Sequence, residues 1–86
     1  MYKDLDIRTS IKENKIIREF EIFKNDLNDI DVIEQIYNIL GVYHDALKLN
    51  KPYKNKKELL DFLQTLGNTI QFTFISSRME NAIIIS

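Results

Sequence analysis

From residue 5 to residue 11 the chain alternates with a period of two. Leu5, Ile7, Thr9 and Ile11 fall on one side, and Asp6, Arg8 and Ser10 on the other. That is the pattern of a half-buried strand. Lys12-Glu13-Asn14-Lys15 follows as a polar four-residue turn of hairpin length. Residues 16–23 resume the alternation, with Ile16, Phe20 and Ile22 inward and Glu19 and Glu21 opposite. Arg18 interrupts the inward row and marks the rim of a sheet.

After a polar connection over 24–29 the period changes. Ile33, Ile36, Leu40, Tyr43 and Leu47 recur at spacings of three and four, which predicts a helix over about 31–49. Val32, Tyr37, Ile39 and His44 flank this stripe. Asp29 or Asp31 caps its start, and Glu34 suits its positive end. Gly41 stands inside the pattern, where another segment could approach closely, and Pro52 ends it. Asn55 followed three residues later by Glu58 approximates a capping box and opens a second helix with Leu59, Phe62, Leu63 and Leu66 on its apolar face. Gly67 is placed as its left-handed C-terminal residue. Alternation returns over 69–75, with Ile70, Phe72 and Phe74 inward and Gln71, Thr73 and Ile75 outward. A turn over 76–81 and a short strand over 82–86 complete the chain, with Ile84 facing opposite to Ile83 and Ile85.

The order is ββααββ. Two local hairpins and two helices predict an α+β two-layer sandwich: an antiparallel sheet, four-stranded if the hairpins join, covered on one face by both helices. Eighty-six residues allow one small domain, 1–86. With no cysteine there is no disulfide and no thiolate metal site. The N-terminus lacks the apolar stretch of a signal peptide. No apolar run approaches the ~20 residues that span a bilayer. The expected location is the cytoplasm, that of the host cell if the protein is phage-encoded.

Charge narrows the function classes. Twelve Lys and Arg against 13 Asp and Glu leave a net charge of −1, unlike a strongly basic nucleic-acid binder or an acidic nucleic-acid mimic. No phosphate-cradling glycine loop, nucleophile elbow or metalloprotease helix is present. The single histidine, His44, flanks an apolar stripe as a packing residue. Asp26, Asp29, Asp31 and Glu34 read as helix-capping acids rather than metal ligands. Neither catalytic residues nor a cofactor nor a metal is expected, and the chain reads as a non-enzyme.

Two features remain as candidate sites. Residues 48–57 hold five lysines, one tyrosine and no acid, so Lys51, Lys54, Lys56 and Lys57 with Tyr53 form a candidate partner- or anion-binding loop, Tyr53 offering a stacking face. The outer sheet face is charged on the first hairpin, through Asp4, Asp6, Arg8, Glu19 and Glu21. On the second it is uncharged, through Gln71, Thr73, Ile75 and Ile84, which suits a dimer or partner surface. Fourteen Ile, nine Lys and eight Asn reflect AT-rich codons and point to an AT-rich source such as a low-GC bacterium or its phage. The function expected from these features is a small protein-binding module, a phage- or mobile-element-encoded inhibitor of a host defence protein, binding a protein partner, itself as a homodimer, or both. The alternative is a nucleic-acid or nucleotide-binding accessory protein using the 48–57 loop.

Overall fold

A computed structural model describes residues 5–86. Asp4, which the alternation places on the outer face, lies outside them. The elements run β1 (Arg8–Lys12), β2 (Lys15–Phe23), a 3-10 turn (Lys24–Asn28), α1 (Ile30–Leu47), α2 (Lys56–Gln64), β3 (Thr69–Ser76) and β4 (Asn81–Ile85). The hairpins join through β2 and β3 into one antiparallel sheet of order β1-β2-β3-β4. This is the expected α+β arrangement, ββααββ. Phe20, Ile22, Ile70, Phe72 and Phe74 form the buried face of the sheet. Against them pack Val32, Ile33, Ile36 and Leu40 of α1 and Leu59 and Leu63 of α2. Phe20 and Phe72 are cross-strand partners with their rings stacked at 4.5 Å, and Tyr43 brings α1 onto Phe74 at 4.2 Å. No helix among the described residues is long and apolar enough to cross a membrane.

Several local readings change. The first strand is shorter than expected and all five of its residues are exposed, Ile11 to 76%. Alternation places Ile11 on the helix side, opposite Ile16, which is itself exposed. The buried row on β2 begins only at Phe20, so the tip of this hairpin lies outside the ground that the helices cover. Its turn is two residues, not four: Glu13 and Asn14 both have left-handed backbone, φ 53° and 65°. That is the handedness that matches a two-residue turn to the twist of its strands. The 24–29 connection is not wholly polar, because its 3-10 turn buries Leu27.

The helix ends also differ. Asp29 caps α1, its side chain accepting from the Asp31 N–H at 3.0 Å. The helix stops at Leu47, well before Pro52. Lys48 turns left-handed there (φ 57°), and the Lys48 and Leu49 N–H groups return to the carbonyls of Asp45 and His44. Asn55 caps α2 as expected, accepting from the Glu58 N–H at 2.9 Å. Glu58 reaches back one residue further than a capping box requires, to the Lys54 N–H. Gly67 is not left-handed. Instead α2 ends at Thr65, whose hydroxyl donates to the Phe62 carbonyl at 2.7 Å.

Gly41 admits no close backbone. A Cβ added there would meet only the Lys51 Nζ, at 3.9 Å, an ordinary contact. The position therefore carries the cost of glycine in a helix without a compensating approach. Gly41→Ala should stabilise the protein by about 1 kcal/mol, read as a higher denaturation midpoint with unchanged slope.

Candidate functional site

The lysine-rich loop does not assemble the expected constellation. Tyr53 is only 3% exposed and offers no face for stacking. Its ring packs into the domain between Tyr37 and His44, with centroids 6.0 and 5.9 Å away. The loop is also not free of acids in three dimensions. Lys56 forms an ion pair with Glu34 and stands over the Tyr37 ring, 5.8 Å from its centroid. Glu58 accepts from the Lys54 backbone, and the Asn55 side chain occupies the Glu58 N–H at the start of α2. Lys51, Lys54 and Lys57 are exposed. Lys51 reaches over Gly41, whereas Lys57 borders a groove with Leu27, Ile33 and Leu60. Lys56 is neutralised, and Lys51 and Lys57 point to different surroundings.

His44 and Tyr53 form a buried polar contact. His44 is 4% exposed, and neither ring nitrogen has a hydrogen-bond partner; nor does the Tyr53 hydroxyl. Burial holds the imidazole pKa below its ordinary value of 6.5. The Leu49 backbone, close to the ring but outside hydrogen-bonding geometry, opposes this; the charge of Lys51 adds to the lowering and Asp45 opposes it. Burial likewise pushes the Tyr53 phenol up to about 12, helped by Tyr37 and Asp45. The expected acidic caps take up Asp26 and Asp29: Asp26 accepts from the Phe23 N–H at 3.0 Å, and Asp29 from that of Asp31.

The outer sheet face is the more coherent surface. Helices cover the face that carries Phe20, Phe72 and Phe74, so residues of opposite parity face away. Register orders them into rows: Lys12 and Lys15; Ser10, Ile17, Ile75 and Ala82; Arg8, Glu19, Thr73 and Ile84; Glu21 and Gln71; Phe23 and Thr69. Charge is confined to the β1–β2 half. The β3–β4 half is uncharged and brings the expected Gln71, Thr73, Ile75 and Ile84 together, with Ile84 49% exposed. Two members escaped the sequence reading. Ile17 lies directly beside Ile75, which lies beside Ala82, so the apolar residues run across three strands. Phe23, 58% exposed, lies on the same face beyond Glu21. Their parity with Glu19 and Glu21 was the signal that could have placed both.

No known protein family, curated protein or solved structure matches the chain.

Proposed function

We propose that the chain is a small non-enzymatic protein-binding module that works through the uncharged half of its outer sheet face. The observation that supports this reading is the segregation on that face: charges on β1 and β2, and an apolar run that starts at Ile17 on β2 and passes through Ile75 of β3 to Ala82 and Ile84 of β4. A central apolar patch with a polar, charged border is the anatomy of a protein–protein interface. The partner is a folded protein presenting an apolar patch of its own, bordered by basic residues where it meets Glu19 and Glu21. Binding alone, by covering a working surface of that partner, suffices for an inhibitor. The lysine loop is the weaker surface, because Tyr53 is buried and Lys56 is already paired.

Thr73→Arg puts a charge in the middle of the patch without touching the buried face. The binding partner captured from the expressing cells should, once purified, bind wild type and Asn38→Arg equally, Asn38 being exposed on α1. Affinity for Thr73→Arg should fall tenfold or more, about 1.4 kcal/mol, as expected of a desolvated central position. Equal affinity of a folded Thr73→Arg for that partner would refute the assignment of this face.

A further inference from the structure

The two sheet edges are not alike. The β1 edge carries Arg8 and Lys12, whereas β4, Asn-Ala-Ile-Ile-Ile, carries no charge. Charged side chains are the usual protection of an edge strand against pairing with another chain. The hydrogen-bond phase of β4 is set by its last pair. Gln71 N–H donates to Ser86 O at 2.8 Å, and Ser86 N–H donates to Gln71 O at 3.0 Å. Antiparallel ladders alternate such pairs. Ile84 with Thr73 and Ala82 with Ile75 are therefore the bonded pairs, and the backbone N–H and C=O of Asn81, Ile83 and Ile85 point away from β3. No other described residue takes these outward groups. A groove of about 380 Å³ follows this edge, lined by Asn81, Ala82, Ile83 and Ile85 and flanked by Leu49, Asn50 and Pro52.

We propose that β4 pairs antiparallel with β4 of a second copy, centred on Ile83, joining two sheets into one of eight strands. The occupant follows from the symmetry of the strand. The outward groups sit at 81, 83 and 85, evenly about the middle of a five-residue strand. A two-fold axis at Ile83 matches 83 with 83 of the second copy and 81 with 85, so every outward backbone group of both strands finds a partner in one register. The same register sets Ala82 beside Ile84 of the second copy on the outer face, and the two uncharged patches become continuous. The pairing bonds are made by the backbone of the edge at 81, 83 and 85, which Thr73→Arg leaves in place, so this proposal is tested separately from the partner surface proposed above even though Ala82 and Ile84 border both.

The chain has no native cysteine, which makes single-cysteine cross-linking direct. Partners in a bonded antiparallel pair lie about 5.5 Å apart at Cα, within disulfide reach. Under mild oxidation Ile83→Cys should link to itself, and a mixture of Asn81→Cys and Ile85→Cys should form the mixed dimer in preference to either homodimer. Ile11→Cys, on the opposite edge, should remain monomeric. In sedimentation, wild type and Thr73→Arg should dimerise between micromolar and millimolar concentration. Ile83→Pro should not, because it removes a donor that β3 does not use. If Ile83→Pro proves unfolded, the cysteine pattern decides alone. A wild type monomeric throughout, a folded Ile83→Pro that still dimerises, or linking at Ile11 equal to that at Ile83 would overturn the proposal.

Discussion

Phe72→Ala should cost about 3–5 kcal/mol, the range for truncating a buried aromatic ring. Phe72 is fully buried on the central strand β3, its ring stacked on Phe20, which in turn lies 5.9 Å from Phe74. Removal leaves a cavity beneath both helices, where Ile36, Leu40, Leu59 and Leu63 are also fully buried and cannot all move in to fill it. Eighty-six residues at 0.05–0.15 kcal/mol each give a total stability of about 4–13 kcal/mol. The substitution therefore takes a large share and shifts the urea midpoint accordingly. Thr73→Ala, the next residue but on the uncovered face, should change stability by less than about 1 kcal/mol. Equal losses would mean that the two faces of β3 are assigned the wrong way round.

The second large effect concerns His44 and Tyr53, which hold three polar atoms in the interior without partners. A buried polar group left unpaired costs about 1–3 kcal/mol. His44→Leu should therefore raise stability at pH 7 despite removing a ring that touches Tyr53, and Tyr53→Phe, which deletes only the hydroxyl, should raise it less. The pH dependence has a definite sign. The folded imidazole pKa lies below 6.5, so the unfolded chain takes up a proton first as pH falls. The stability linked to neutral His44 is fully present above pH 6.5 and is lost as pH drops from there through the folded value. Urea titrations between pH 8 and pH 5 should show this decline in wild type and a smaller one in His44→Leu. Parallel curves would show that His44 is hydrated or paired in solution. At the alkaline end, Tyr53 with its pKa near 12 should cost stability as pH rises from 10 toward that value, and Tyr53→Phe should remove this loss.

What the sequence made legible was periodicity, and what it concealed was contact between distant segments. Phe20, Ile22, Ile70, Phe72 and Phe74 could be placed because a strand's two faces differ in chemistry. Ile7 and Ile11 show the same alternation, yet both are exposed: alternation states which side chains share a face, not whether anything covers it. Helix starts were readable from Asp29 and Asn55, whose side chains bond within their own first turn. Helix ends were not. Lys48 turns left-handed without being glycine, while Gly67 and Pro52, the residues that announce a turn, do not stop either helix. Residues 48–57 looked free of acids because Glu34 joins Lys56 from 22 positions earlier in the chain. Tyr53 looked like a loop aromatic because its burial depends on Tyr37 and His44 of α1. The uncharged outer face is legible on β3 and β4, but Ile17 is hidden behind its neighbour Ile16, whose side chain falls on the opposite face.

Photo-cross-linking in the expressing cells tests the partner surface most directly. A photoreactive phenylalanine analogue replaces Gln71, exposed on the uncharged outer face, or Asn38, exposed on α1 on the other side of the domain. The expected result is a discrete cross-link from position 71 to a protein other than the chain itself, with none from position 38, and its disappearance when Thr73→Arg is added. Cross-linking from position 38 alone, or from both positions to the same extent, would contradict the assignment of the outer sheet face as the working surface.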